Sequence, residues 1–369
     1  MLNIEEVPVQ ATGLLTISLT AVAANWRRVC AEVGAHVAVA AVVKAQAYGL
    51  GAVAVTRALL EAGCRRFFLA TVDEGIELRR AIGPRKDVTL AILAGPPSGG
   101  VALLKEHGLT PVLNDLGQIE AWRREADGTA AIMNIDTGMS RLGLSASDVM
   151  KLADDPSSLA GIDLLGVMSH LACADDPDHP LNEQQRGRFA SLAALLPRAP
   201  LSLAASSGIF LGPEYHGQQV RPGAALYGLN PTPGKPNPMA QVVGVKAKIL
   251  QIREIDAGVP VGYGATHTTR RRSRIAILGA GYADGYLRAA GNRACVRIGK
   301  QKAPILGRIS MDLITVDVTD LPPAALQSES WATLIGPDYG LDDLAQDAGT
   351  IGYEILTRLS ARLHRVYIS

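Results

Sequence analysis

Across residues 12–240, short apolar runs alternate with stretches of helical period. The runs are His36–Lys44, Arg66–Thr71, Thr89–Ala94, Leu109–Leu113, Ala130–Asp136, Leu164–His170, Leu201–Ala205 and Gln218–Arg221. Most are followed by a helix-like segment such as Ala52–Ala62 or Leu116–Glu125. Near-continuous apolar runs of this length are what parallel strands buried on both faces require. Eight such units predict a (β/α)8 barrel. A doubly wound sheet is disfavoured, because no G-x-G-x-x-G turn opens a helix after the first strand.

The texture changes at Asn230-Pro231-Thr232-Pro233-Gly234-Lys235-Pro236-Asn237-Pro238, whose prolines and glycine read as a linker. Beyond it, Gln241–Ile255 alternates apolar and polar residues, as a half-buried antiparallel strand does. Further strands are predicted at Arg274–Leu278, Ala294–Ile298, Ala303–Leu306, Leu313–Val318 and Trp331–Ile335, with one helix near Ile351–Leu359. The predicted organisation is a barrel over residues 1–238 and a β-rich second domain over 239–369, with the first ten residues as candidates to pair with the second.

Composition narrows the class. The chain has 369 residues, 48% of them hydrophobic and 19% charged, which suits a globular protein of two domains. Its 36 basic and 35 acidic residues nearly cancel, and Arg270-Arg271-Arg272 is the longest basic run, so charge makes no case for nucleic acid. No apolar span is long enough for a membrane helix, and the start carries no secretory pattern. Cys30, Cys64, Cys173 and Cys295 have neither metal-ligand spacing nor disulfide density, so no metal is expected and free thiols in a reducing cytoplasm are.

The candidate chemistry gathers at the predicted strand ends. Lys44, Asp136 with Arg141, His170, Ser207 and Arg221 all fall there, where a barrel assembles its active site. Lys44 ends an apolar run; partial burial disfavours its charged form and suits it to a Schiff base. A lone lysine in that position is more often one that snorkels to solvent. The aromatics are nine tyrosines against three tryptophans and four phenylalanines. Tyr48, Tyr227, Tyr263, Tyr282, Tyr286, Tyr339 and Tyr353 each adjoin a glycine.

In order along the chain stand Lys44-Ala45-Gln46-Ala47-Tyr48-Gly49, Asp136-Thr137-Gly138-Met139-Ser140-Arg141-Leu142-Gly143, Ser169-His170-Leu171-Ala172 and Ala205-Ser206-Ser207-Gly208. Val220-Arg221-Pro222-Gly223, Gly262-Tyr263-Gly264, Gly281-Tyr282-Ala283-Asp284-Gly285, Gly307-Arg308-Ile309-Ser310-Met311-Asp312 and Gly352-Tyr353-Glu354 complete the set. This series resembles the alanine racemases, enzymes dependent on pyridoxal phosphate. The resemblance implies that Lys44 carries the cofactor and that Tyr48, Ser207, Gly223 and Tyr353 clamp its phosphate. It implies that Arg221 faces the pyridine nitrogen. A permanently protonated arginine leaves that nitrogen unprotonated, which limits side reactions such as transamination. Lys44 and Tyr282 are then the bases on opposite faces of the substrate carbon, with His170 assisting the tyrosine. Arg141 and Met311 meet the substrate, in a space suited to a methyl side chain.

The resemblance further implies a homodimer in which the second domain of one subunit closes over the barrel of the other. The implied reaction interconverts L- and D-alanine, for peptidoglycan synthesis or for catabolism. Alternatives are a racemase of another small amino acid such as serine, and a non-catalytic pyridoxal phosphate-binding protein. The latter is a barrel alone, so residues 239–369 count against it. Pyridoxal phosphate decarboxylases of basic amino acids share the architecture but place an acid at the ring nitrogen. One departure stands out. Many relatives carry a carbamylated lysine two residues before the Asp of Asp-Thr-Gly-Met; here Asn134 holds that position. Its side-chain oxygen is expected to orient Arg141, with a bound anion such as chloride supplying the missing charge.

Overall fold

The computed structural model describes residues 7–126, 128–328 and 330–368. They form two compact units: Val22–Ala240, and the described residues up to Ala21 together with those from Gln241 onward.

In the first unit seven parallel strands follow chain order: Ala41–Val42, Arg66–Leu69, Thr89–Ile92, Thr110–Leu113, Ala130–Asn134, Asp163–Met168 and Leu201–Ser202. Gln219–Val220 closes the ring. It pairs in parallel with Ala38–Val39, the start of the first strand. On its other side Arg221 N–H donates to Ala204 O at 3.0 Å. The eight predicted runs are thus the eight barrel strands, most of them shorter than predicted at one end or both, while Leu164–His170 starts one residue earlier, as Asp163–Met168. Ala40, Phe68, Ala91, Val112, Ile132 and Met168 form one buried cluster with a member from each of six strands. Such a layer fills a barrel's interior with side chains rather than solvent. The helix Ala52–Ala62 matches its prediction, and Leu116–Ala126 runs one residue longer than expected.

The second unit is built on the long strand Val243–Ile255. Its first half alternates buried and half-buried residues, as its sequence pattern requires. It pairs antiparallel with Gly13–Ser18, with Trp331–Ile335 and, past a bulge, with Ser273–Leu278. Gly13–Ser18 also pairs in parallel with His364–Ile368. Ile314–Asp317 extends the Ser273–Leu278 side, and Cys295–Ile298 with Gln301–Pro304 forms a hairpin beyond Trp331–Ile335. The N-terminal segment that joins this sheet is Gly13–Ser18; of the first ten residues expected to pair with it, 1–6 lie outside the described residues. Two helices beyond the expected one are present, Pro323–Ser328 and Leu341–Ala348, alongside Gly352–Arg358. At six and eight residues they are too short for helical period to stand out from alternation.

Candidate active site

The strand Ala41–Val42 runs into an unusual turn. Ala45, Gln46, Ala47 and Tyr48 all have left-handed backbone, with φ of 52, 55, 53 and 57°. This conformation costs a residue with a Cβ roughly 1–2 kcal/mol, so four in succession need support. Inside the turn Ala47 N–H donates to Val43 O at 2.9 Å, Gly49 N–H to Ala45 O at 2.7 Å and Gly51 N–H to Gln46 O at 2.7 Å. The turn starts at Lys44 and ends with the phenol of Tyr48 on the barrel. Tyr48 packs on buried Tyr227, ring centroids 4.9 Å apart. The Tyr227 hydroxyl donates to Val42 O at 2.7 Å, fixing the strand that delivers Lys44. A Cβ on Gly223 would collide with the Tyr48 phenol oxygen, so glycine there lets backbone and phenol meet.

Arg221 is buried, 3% exposed, and has no acidic partner among the described residues. Its Nη1 donates to Ser202 O at 2.8 Å and to the Ser202 hydroxyl; its Nη2 donates to Ser169 O and, at 3.3 Å, to Leu203 O. All four acceptors are neutral. Burial lowers its pKa to about 10, which still leaves it a cation at neutral pH.

The cationic groups at the strand ends act on one another. Lys44 is held below the usual lysine range, first by burial and then by Arg141, with Glu74 opposing. His170 is pushed down to about 3 by burial and by Arg221, Arg141 and Lys44, so it stands neutral. Lys44, Arg141, His170 and Arg221 therefore share one electrostatic environment at the C-terminal ends of the strands. The His170 backbone is fixed by buried Gln185, which donates to His170 O at 2.9 Å and accepts from Ala172 N–H at 2.8 Å. Sequence reading missed Gln185; a glutamine inside a helix gives no sign of facing inward.

The loop bearing Arg141 is shaped by Asp136, whose Oδ1 accepts the N–H groups of Gly138, Met139 and Ser140 at 2.9, 3.0 and 3.1 Å. The expectation for Asn134 is corrected. Its Nδ2 donates to Asn114 Oδ1 at 2.9 Å and to Leu142 O at 3.1 Å, and no bond joins it to Arg141 among the described residues. It fixes the backbone beside Arg141 instead of the guanidinium. Asn114, buried and itself bonded to Leu93 O and Val112 O, is the acceptor that makes a neutral amide fit here.

Ser207 lies half-buried in the short helix Ser206–Ile209, and its hydroxyl has no partner within the described chain. Its neighbour Ser206, not singled out by sequence, is buried; its Oγ accepts Gly223 N–H and Ala225 N–H, both at 3.1 Å. It ties the helix to the Gly223 turn. A phenol, an uncommitted hydroxyl and a glycine backbone beside a half-desolvated lysine and a charge-bearing arginine form a set that suits a phosphorylated pyridine aldehyde.

In the second unit, Tyr282 and Met311 are brought together. Tyr282 N–H donates to Ser310 O at 3.1 Å and Ala283 N–H to Met311 O at 3.0 Å. A Cβ on Gly281 would strike both of those carbonyl oxygens. Asp284 caps the turn, accepting Gly281 N–H at 2.8 Å, and pairs with Arg362 at 3.2 Å; Arg362 also reaches Asp312 at 2.7 Å. Ser360 N–H donates to Asp284 O at 3.1 Å, seating the end of the Tyr353-bearing helix beside the same turn. Tyr282, Met311 and Tyr353 are 41, 52 and 41% exposed.

A family model described as alanine racemase, N-terminal domain, matches residues 17–231, and one described as alanine racemase, C-terminal domain, matches residues 242–367. The chain is 48% identical over 362 residues to an alanine racemase of Rhodospirillum rubrum, covering 97% of this chain and 96% of that one. It is equally identical over the same length to a catabolic alanine racemase of Mesorhizobium japonicum, covering 97% and 94%. Among solved structures it resembles the alanine racemase of Bartonella henselae with covalently bound pyridoxal phosphate, at a TM-score of 0.92 and 40% identity, covering 97% of this chain and all of that one. A biosynthetic alanine racemase from Pseudomonas aeruginosa matches at a TM-score of 0.90 and 32% identity, covering 98% of this chain and 100% of that one. With both domain models matched across nearly its whole length, the chain belongs to the alanine racemase family.

Proposed function

We propose that this protein interconverts L- and D-alanine with pyridoxal phosphate as cofactor, and that Lys44 and Tyr282 are its two bases. The observation that carries the reading is Arg221: a buried cation held by neutral acceptors alone, in the electrostatic environment of Lys44 and His170.

Lys44 would hold the cofactor covalently. Tyr48, Ser207, Gly223 and Tyr353 would meet its phosphate, and Arg221 its ring nitrogen. When bound, the cofactor supplies the electron-withdrawing ring that makes the substrate Cα proton removable. The protein's own part is to move that proton. Lys44, its pKa lowered by burial, exchanges it on one face, and Tyr282 exchanges it on the other. A phenol is a weak base at its ordinary pKa of about 10; His170, held neutral by its surroundings, would assist it as a hydrogen-bond partner and not by taking its proton. Arg141 binds the substrate carboxylate, and Met311 limits the side-chain space.

Tyr282 and Met311 are exposed in the isolated chain. That supports a homodimer in which the second domain of one subunit completes the barrel site of the other. No described helix is long and apolar enough to cross a membrane, and a cytoplasmic location is the reading that fits the free thiols. Because the reaction is reversible, one site serves either supply of D-alanine for the cell wall or its breakdown.

The test is a racemisation panel over the small amino acids with purified, cofactor-loaded protein. Alanine should be turned over fastest. Faster serine turnover would transfer the assignment to a serine racemase, and no turnover of any amino acid would leave a binding protein.

A further inference from the structure

The left-handed turn after Lys44 has a support that no motif announces. Glu74 lies in the first turn of the helix Val72–Ile82. One carboxylate oxygen accepts Ala70 N–H at 2.8 Å, just ahead of its own helix. The other accepts Ala45 N–H, in the next βα loop, at 2.7 Å. The N–H groups of Ala47, Gly49, Leu50 and Gly51 hold the turn to itself, and among the described residues the acceptor of Ala45 N–H is Glu74. Beside it Gln46 donates to Glu77 of the same helix at 3.2 Å, a second tie between turn and helix, and accepts Ala52 N–H at 3.3 Å within its own segment.

A plain helix-capping role explains only part of this. Thr71 already caps the helix, accepting Glu74 N–H at 3.4 Å. The bond to Ala45 contributes nothing to that helix. We propose that Glu74 is a positioning residue for Lys44: its carboxylate clamps the left-handed turn Ala45–Tyr48 to the end of the adjacent strand and so fixes where Lys44 and Tyr48 leave the barrel. The same carboxylate raises the proton affinity of Lys44 against the pull of burial and Arg141. It thus acts on the lysine through the backbone and through charge. The inference rests on Lys44 being the cofactor lysine.

Hydrogen–deuterium exchange of the purified holoprotein, read on peptides spanning residues 44–51, tests the clamp. Glu74→Gln keeps the shape but sets an amide N–H₂ against one of the two donors and removes the charge. Exchange should rise about tenfold, the loss of one charge-assisted hydrogen bond. Adding Ala45→Gly should bring it back severalfold, because glycine takes the left-handed conformation freely and Ala45 is an exposed residue with little packing to lose. Thr71→Ala, which weakens the helix cap alone, should leave exchange in this segment unchanged. Ala45→Gly with Glu74 intact should exchange no faster than the parent.

No rise in Glu74→Gln overturns the clamp. So does an equal rise in Thr71→Ala, or a double variant that does not recover. Borohydride reduction followed by peptide mapping reads the underlying assignment separately. A pyridoxyl label away from Lys44 sinks the functional reading while leaving the exchange result to decide the clamp.

Discussion

Arg221 reaches Ser202 twice, donating Nη1 to its carbonyl at 2.8 Å and to its hydroxyl. The hydroxyl in turn donates to Gln219 O at 2.7 Å, on the strand that closes the barrel. The guanidinium is therefore locked into the barrel wall by neutral groups, with no acidic partner among the described residues. On the proposed reading it would keep its own proton opposite the ring nitrogen and leave the ring a modest electron sink.

This gives the first prediction. Arg221→Glu should lower racemisation strongly and raise the ratio of transamination to racemisation, followed as pyruvate formed against D-alanine formed. It should also destabilise the fold, because a carboxylate then faces oxygens that have lost their donors, at about 1–3 kcal/mol for each group left unsatisfied. A folded variant with an unchanged ratio would remove Arg221 from the control of reaction type.

The second prediction concerns the two bases. Tyr282→Phe should abolish most racemisation while the cofactor absorbance persists. Lys44→Ala should lose both. Mixing the two inactive proteins under subunit-exchange conditions should restore activity towards a quarter of the parent's per site, since one site in each mixed dimer then carries both bases. Mixed dimers, proven by mass, that stay inactive would count against a site built from two chains.

The third is a pH dependence. An ordinary imidazole gains its proton near 6.5, whereas His170 does so at about 3. Between those values the unfolded chain binds a proton that the folded chain refuses. The stability linked to His170 is therefore fully present above pH 6.5 and is lost as pH falls through this window. Replacing His170 with Asn removes the linkage. Urea unfolding from pH 3 to 7 should show a dependence on pH shallower than the parent's by up to one proton, or about 1.4 kcal/mol per pH unit. Identical slopes would mean that His170 is not held neutral by its surroundings.

The barrel was legible because strands buried on both faces must be apolar along their length, and the chain repeats that pattern with helices between. The strand-end residues were legible for the same reason: polar groups that interrupt such runs fall at the mouth. What stayed hidden depends on partners distant in sequence. Ser206 and Ser207 are indistinguishable as neighbours, yet one is spent on Gly223 N–H and the other is uncommitted. Glu74 reads as an ordinary acid in a helix's first turn, and only the fold brings Ala45 to its second oxygen. For Asn134 the residue was rightly singled out but its partner was not, because Asn114 takes up the amide from a strand away. Leu14, Leu15 and Ile17 give too short a run to declare a strand on their own, and their pairing is settled by residues far downstream.

That last strand has a consequence for how the molecule is made. Thr16 bonds to Gly244 across 228 positions, and its other neighbours lie at His364–Ile368. A ribosome delivers this segment well before its partners. The barrel can finish folding meanwhile, since its contacts lie within Val22–Ala240. Leu14, Leu15 and Ile17, fully covered in the finished protein, must wait uncovered throughout. The nascent chain thus carries an apolar strand without a mate for most of its synthesis, a natural place for a chaperone to bind and for a stalled translation product to aggregate.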